Sequence, residues 1–249
     1  MASKNSREER RAAAAAALRA QQRREKRRTY LIQAAVGLVA VGIVAAAAVT
    51  MLNNRDQREA AAAGQGAAPA QVDADGAFVV GEDDAPVTIQ IVEDFQCPVC
   101  RQFEEISGAL IDSYIADGTA QVQYRTIAFL DRASTTRYST RALNASACVM
   151  DSGEEVWREF HRQLFAQQPA EGTAGLPDDD LVDIAEQAGA TDVGDCIRDE
   201  TYTGWTVRTT DAAGQDGINA TPTVFVDGQQ LPDFAPETIR AAVEKAQAS

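Results

Sequence analysis

Two cysteines three positions apart carry the chemistry that this sequence is best suited to perform. Cys97 and Cys100 enclose Pro98 and Val99, directly after an apolar, β-branched run at 87–92 and at the start of a segment with helical spacing. The first turn of a helix brings two such cysteines within bonding distance. Its free N–H groups and its dipole favour a thiolate at the first cysteine, and the thiolate is the species that attacks disulfides. The motif therefore predicts thiol–disulfide exchange, with Cys97 as the attacking residue and Cys100 as its more buried partner.

The other two cysteines, Cys148 and Cys196, lie 48 positions apart in segments with helical character. Four cysteines allow three pairings, and outside the cytoplasm an even number favours two bridges. Because the position of Cys97 and Cys100 at a helix start favours a bond between them, Cys148–Cys196 is the natural second bridge, with a structural role. Two alternatives use the same residues: a zinc site with four cysteine ligands, and an inert bridge between Cys97 and Cys100.

The elements that must position the cysteines follow an alternating pattern from about residue 77 to residue 249. Short apolar runs predict strands at 87–92, 122–129 and 223–226. Apolar residues recurring every three or four positions predict helices at 97–116, 138–150, 154–167, 178–188, about 202–213 and 236–248. This order predicts an α/β fold with a parallel βαβ pair, and an Asp227-Gly228 turn that adds an antiparallel strand.

Near the N-terminus, the sequence predicts a membrane anchor preceded by a basic tail. Residues 30–52 are apolar and uncharged, and a helix of that length reaches about 35 Å, enough to cross a hydrocarbon core of about 30 Å. Residues 1–29 hold ten Lys/Arg against three Glu, or +7 of a total charge of −14, which leaves −21 for the rest. The positive-inside bias then makes 1–29 a cytoplasmic tail and places the body outside the cytoplasm.

Residues 53–76, rich in Ala, Gly and Gln, are expected to be a flexible linker. A cleaved secretory signal or a twin-arginine signal is the alternative to a retained anchor, and each leaves the body on the same side of the membrane. The acidic body argues against binding to nucleic acid.

Two separated motifs together resemble the DsbA-like branch of the thioredoxin superfamily. The first is VEDFQCPVCRQF at 92–103, and the second is TPTVFVDG at 221–228, with a helical block at about 131–213 between them. The resemblance covers about 170 residues. It implies a thioredoxin fold with an inserted helical subdomain, and disulfide oxidoreductase activity on exported proteins that needs no metal or organic cofactor. It also implies a cis peptide bond before Pro222, with Thr221 offering its backbone to an extended substrate.

The second disulfide inside the insertion is similar to that of the actinobacterial-type members of the family. The resemblance further implies reoxidation by a quinone-linked membrane partner of the DsbB or VKOR type.

The sequence departs from the family pattern at two positions. Many members have a histidine where Val99 stands, and Val99 can neither donate a hydrogen bond nor carry charge, so a milder oxidant is expected. Many members also place a buried acid six residues before the first cysteine, where this chain has Ile91. Glu93 and Asp94 are the candidates to take over its part in proton transfer.

Other polar residues are expected to have structural roles. His161, the single histidine, lies among aromatic residues without a second histidine or a nearby nucleophile, which favours a structural role. The acidic pairs Asp83-Asp84 and Glu104-Glu105 and the run Asp178–Asp180 are expected to be solvated or helix-capping charges.

The function favoured by these observations is the introduction of disulfides into exported proteins. The alternatives are a reductase or isomerase of the same fold, and a membrane-anchored binding module that the cysteines merely brace.

Overall fold

A five-stranded mixed sheet forms the centre of the computed structural model, which describes residues 67–248 of the 249-residue chain. The strands lie in the order β1-β3-β2-β4-β5. Strands β2 and β3 are parallel, and the other neighbouring pairs are antiparallel, so the predicted mixed sheet is confirmed. The strands are β1 (Phe78–Val80), β2 (Val87–Glu93), β3 (Ala120–Thr126), β4 (Thr223–Val226) and β5 (Gln229–Gln230).

Helices connect the strands in the predicted order. Helix α1 (Pro98–Ala116) links the parallel strands β2 and β3, and α7 (Pro236–Gln247) packs against α1 and β4. Between β3 and β4 the chain builds the predicted helical insertion. Its helices are α2 (Tyr138–Val149), α3 (Glu154–Ala166), α4 (Asp178–Ala188), α5 (Gly194–Arg198) and α6 (Thr203–Gln215).

The structure corrects the predicted strands at two places. Strand β3 ends at Thr126 instead of residue 129, because residues 129–132 turn into a short 3-10 helix. The backbone N–H of Leu130 in that turn donates to the Asp94 carboxylate at 2.9 Å, so a distant side chain sets the end of the strand. The sequence reading also missed β1, which has only three residues and pairs with the edge of β3.

The disulfide in the helical insertion joins α2 to α5. Cys148 and Cys196 are bonded, with their Cα atoms 5.9 Å apart, which confirms the predicted pairing. Two of the four sulfurs are thereby consumed, and this excludes the four-cysteine zinc site. Cys97 and Cys100 are free thiols.

The predicted tail (1–29), membrane segment (30–52) and most of the linker (53–76) lie outside the described residues. The final linker residues are described, and there Val72 forms an isolated bridge to Phe78. Between residues 67 and 248, no helix is both long and apolar enough to cross a membrane.

Candidate active site

The two free cysteines lie where strand β2 gives way to helix α1. Cys97 is the N-cap residue of α1, with extended backbone (φ −78°, ψ 116°), and Pro98 is the first residue of the helix. Proline is suited to this position because its missing N–H would have no partner in the helix. Cys97 is 7% exposed and Cys100 is fully buried, as the sequence predicted. The arrangement leaves one sulfur at the surface opening and the other beneath it.

The surroundings of Cys97 favour its thiolate. Its pKa falls from 9.0 to about 6. The largest cause is the hydrogen bond from the Cys100 thiol, and the Thr221 side chain and the backbone N–H groups of Cys100 and Val99 add to it. Burial opposes these effects without cancelling them. At pH 7 the thiolate therefore outnumbers the thiol by about ten to one.

Cys100 has the opposite character. Burial raises the pKa of its thiol well above 9.0, and the neighbouring charges of Cys97 and Glu93 raise it further. A thiolate released at Cys100 would therefore take up a proton at neutral pH.

The cis-proline loop completes the opening around Cys97. The peptide bond between Thr221 and Pro222 is cis, as the resemblance implied. The Cys97 Sγ lies 3.4 Å from the Thr221 carbonyl oxygen. Residues 124 positions apart meet here because β4, which follows Pro222, pairs with β2 through Thr223 opposite Val92. The loop can thus present its backbone to a chain that lies along the opening.

Beneath the cysteines lies a buried acid–base cluster, which consists of Glu93, His161 and Glu104. Glu93, at the end of β2, is fully buried, and its Oε1 is in direct contact with Nε2 of His161 on α3. Its Oε2 is also buried and has no hydrogen-bond partner among the described residues. One oxygen or nitrogen of each of the three side chains lies within 4.8 Å of the others.

Glu104 connects this cluster to the surface. It lines a cleft of about 330 Å³ between α1 and α3, with Gly108, Asp112, Arg162 and Phe165 among the neighbouring wall residues. Desolvation of its carboxyl raises the pKa of Glu104 to about 7, although the charge of His161 lowers this pKa. The expectation that Glu104 is a solvated or capping charge was therefore wrong, whereas its neighbour Glu105 is exposed and pairs with Arg101.

The donor set of this cluster, two carboxylates and an imidazole, resembles that of some metal sites. However, the imidazole nitrogen that would bind a cation already contacts Glu93. Desolvation also raises the pKa of Glu104, so that a proton competes for its carboxylate near pH 7. We therefore interpret the three residues as an acid–base cluster in which Glu93 and His161 are in direct contact and Glu104 lies beside them.

Asp94, the other candidate acid, has both carboxylate oxygens engaged in hydrogen bonds. It accepts hydrogen bonds from the Ser139 hydroxyl at 2.6 Å, the Gln96 N–H at 2.8 Å and the Leu130 N–H at 2.9 Å. Burial raises the pKa of Asp94 to about 7. Its bonds tie the loop before Cys97 to α2 and to the turn after β3, so its role is to hold these segments together.

Replacing Asp94 with alanine should destabilise the fold by about 3 kcal/mol, because three donors in the interior lose their acceptor at about 1 kcal/mol or more each. Urea unfolding monitored by tryptophan fluorescence would measure this. Asp84→Ala, at an exposed position, is the matched control and should change stability by less than about 0.5 kcal/mol. Equal stabilities for the two variants would contradict the assigned role.

The residues that sequence reasoning missed are His161 and Glu104 as partners of Glu93. His161 was expected to be structural, and it is indeed buried, with its ring stacked on Trp157 at 5.0 Å between centroids. Nothing in the local sequence reveals its contact with Glu93, since the two residues are 68 positions apart on different elements.

Comparison with known proteins places this geometry in a family. The family model described as Thioredoxin matches residues 73–245. The serine/threonine-protein kinase PknE of Mycobacterium tuberculosis is 34% identical over 169 residues, which are 64% of this chain and only 30% of the kinase. Disulfide bond formation protein D of Bacillus subtilis is 27% identical over 194 residues, or 73% of this chain and 82% of that protein.

Among solved structures, reduced DsbA from Mycobacterium tuberculosis superposes with a TM-score of 0.60 at 30% identity. The match covers 69% of this chain and 98% of DsbA. It includes the helical insertion as well as the sheet, because almost the whole of DsbA is matched. The chain therefore belongs to the thioredoxin family, in its DsbA-like branch of thiol–disulfide oxidoreductases.

Proposed function

We propose that this protein introduces disulfides into exported proteins. The observation that carries the proposal is the contrast between its two thiols, since Cys97 favours the thiolate at neutral pH and the buried Cys100 favours the thiol. Stabilising the thiolate of Cys97 stabilises the reduced protein relative to the oxidised one. The oxidised protein therefore tends to accept electrons from a substrate dithiol.

The size of this bias follows from the pKa of Cys97. At pH 7, lowering the pKa from 9.0 to about 6 stabilises the reduced form by a factor of about ten. For a two-electron couple this factor is about 30 mV. Because Val99 adds neither charge nor a hydrogen-bond donor, the potential should lie between those of thioredoxin, about −270 mV, and the strongly oxidising DsbA, about −120 mV.

Equilibration of the Cys97–Cys100 pair with glutathione buffers of known composition tests the direction of the reaction. We expect a potential of about −240 mV or higher, at least about 30 mV above that of thioredoxin. A value near −270 mV would reject the oxidase and favour the alternative, a reductase of the same fold.

The exchange proceeds in two steps. A substrate thiolate attacks the Cys97 sulfur of the oxidised protein, the Cys97–Cys100 bond breaks, and its electron pair leaves on Cys100, which takes up a proton. A second substrate thiolate then attacks the substrate sulfur of the mixed disulfide and releases Cys97 as a thiolate. Two substrate thiols have become a disulfide, and the two cysteines have been reduced.

Glu93 is the residue that we propose to relay a proton to Cys100. A buried thiolate needs a proton that bulk water cannot deliver directly, and Glu93 is near enough for its charge to raise the pKa of the Cys100 thiol. The proton that it passes on comes from Glu104, whose carboxyl has a pKa of about 7. His161 and Glu104 then connect Glu93 to the cleft between α1 and α3. Asp94 does not fit this role, because its oxygens already accept three hydrogen bonds.

The variant Glu93→Gln keeps the shape of the side chain and removes the acid. We expect oxidation of a dithiol peptide to slow by about a hundredfold at pH 7, the lower edge of what general acid catalysis supplies. Stopped-flow fluorescence would measure the rate, and Glu105→Gln, at an exposed carboxylate one position from Glu104, is the control. A rate equal to that of the wild type in Glu93→Gln would remove Glu93 from the mechanism.

We also propose that the reaction takes place outside the cytoplasm. Residues 30–52 anchor the protein in the cell membrane with residues 1–29 in the cytoplasm, and the oxidoreductase domain acts outside. Its substrates are reduced exported proteins, and a membrane partner of the DsbB or VKOR type returns it to the oxidised form. The apolar length of 30–52 and the basic charge before it support this placement.

A further inference from the structure

One amide side chain from the helical insertion holds the backbone of the nucleophile. The Nε2 of Gln168, two residues beyond the end of α3, donates to the carbonyl of Phe95 at 3.0 Å and to the carbonyl of Cys97 at 2.9 Å. Within the described residues, the other hydrogen bonds to Cys97 come from the cysteine motif, its preceding loop, the first turn of α1 and the Thr221 loop. Among the described residues, Gln168 is thus the hydrogen-bonding contact from the insertion to Cys97.

A second amide makes the reverse connection. The side chain of Gln96, which is fully buried, donates to the carbonyls of Ala170 and Thr173, both at 3.3 Å. The loop after α3 therefore donates to the backbone around Cys97, and the residue before Cys97 donates to that loop. We call the Gln96 and Gln168 side chains with these four carbonyls the amide clasp.

The clasp acts on the part of the chain that sets the acidity of Cys97. As the N-cap, Cys97 has extended backbone, and its carbonyl also accepts the Arg101 N–H of the first turn of α1 at 3.2 Å. The position of its sulfur against the N–H groups of that turn depends on this backbone geometry. In addition, a donor on the Cys97 carbonyl draws off the partial negative charge that would otherwise repel the thiolate of the same residue.

The side chain at the third position of the motif does not help to orient Cys97 or to stabilise its charge. The third position is Val99, which is 43% exposed and has no polar group, so its side chain can neither orient Cys97 nor stabilise its charge. The Cys100 thiol and the backbone N–H groups of the motif stabilise the charge, and a donor from outside the motif can add to them by holding the Cys97 backbone.

We propose that Gln168 is a positioning residue for the exchange reaction, which holds the backbone of Cys97 from the helical insertion and keeps its sulfur in the geometry that favours the thiolate. This inference rests on the proposed function, since it assumes that Cys97 is the exchanging sulfur. It also assigns a role to the loop after α3. A substrate or partner that displaces this loop would withdraw the donor and weaken the nucleophile.

The variants Gln168→Ala and Gln168→Glu test the proposal. The first removes the donor, and the second places an acceptor against two carbonyls and adds a negative charge near the sulfur. Thiolate absorbance near 240 nm, followed against pH in the reduced full-length protein, measures the pKa of Cys97. We expect Gln168→Glu to raise this pKa by about one unit or more, which lowers the thiolate fraction at pH 6 about fivefold, and Gln168→Ala to raise it by a smaller amount.

The neighbouring residue supplies the control. Gln167 is the same residue type, is exposed, and should tolerate both substitutions without a change in the pKa of Cys97. If Gln168→Ala and Gln168→Glu lower the melting temperature but leave the Cys97 titration unchanged, Gln168 is merely structural and the proposal is overturned. If the wild type itself shows no thiolate below pH 8 and exchanges no disulfides, the proposed function fails. The two failures are therefore distinguishable.

Discussion

Replacing Cys97 with serine should reduce thiol–disulfide exchange to the background rate, the largest effect expected of any single substitution in this protein. A serine hydroxyl neither ionises at neutral pH nor forms a mixed disulfide, whereas the Cys97 thiol has a pKa of about 6. The assay is reduction of a small disulfide by the reduced protein, followed over time. Activity that survives in Cys97→Ser would mean that another sulfur carries the reaction.

The pH dependence of the wild-type reaction should follow the ionisation of Cys97. Because its pKa is lowered, the thiolate is present above pH 6 and is lost as the pH falls through that value. The rate of attack should therefore be half-maximal near pH 6 and constant from about pH 7 to 8. Cys100→Ala should shift this midpoint upward, because the Cys100 thiol is the largest stabiliser of the thiolate.

Removal of the second disulfide should have the largest effect on stability. The double variant Cys148→Ala and Cys196→Ala loses a bridge that closes a 48-residue span, for which chain entropy predicts a loss of about 4 kcal/mol. Urea unfolding monitored by circular dichroism would measure the difference. The loss should affect folding and not chemistry, because the bridge joins α2 to α5 while Cys97 and Cys100 lie at the start of α1.

The control for this prediction is the exchange rate of the folded double variant. At a urea concentration and temperature where both proteins are folded, the rate should match that of the wild type within about twofold. A variant as stable as the wild type would contradict the structural role, and a folded variant without exchange activity would indicate that the second bridge takes part in the reaction.

The sequence was sufficient for the cysteine chemistry because that chemistry is local. Four residues at the start of a helix determine which cysteine begins the helix and which is buried within its first turn. The order of the strands and helices was also predictable, since Ile89 and Ile91 in β2 and the apolar spacing in α1 repeat with the periods of a strand and a helix.

The acid–base cluster was beyond the reach of sequence reasoning for the opposite reason. Glu93, Glu104 and His161 come from β2, α1 and α3, and only the packing of α3 against the sheet brings the imidazole to the carboxylate. Local patterns describe Glu104-Glu105 as two equivalent surface charges. In the fold, the first lies in a cleft wall with its carboxyl desolvated, and the second is solvated.

The same reasoning explains the errors in β3 and β1. The run at 122–129 has strand composition throughout, but the Asp94 carboxylate captures the Leu130 N–H and turns the chain at residue 129. Strand β1 is too short for a periodic pattern, and it forms because β3 offers it an open edge.

Capture of mixed disulfides tests whether Cys97 exchanges disulfides with other proteins. In Cys100→Ala, the resolving thiol is absent, so bonds between Cys97 and substrate cysteines should accumulate on the full-length protein in its own cells. We expect adducts that run separately on a non-reducing gel, disappear with reductant, and yield peptides in which Cys97 is joined to cysteines of exported proteins. If Cys100→Ala carries no more adducts than the variant lacking both Cys97 and Cys100, the protein does not exchange disulfides with other chains.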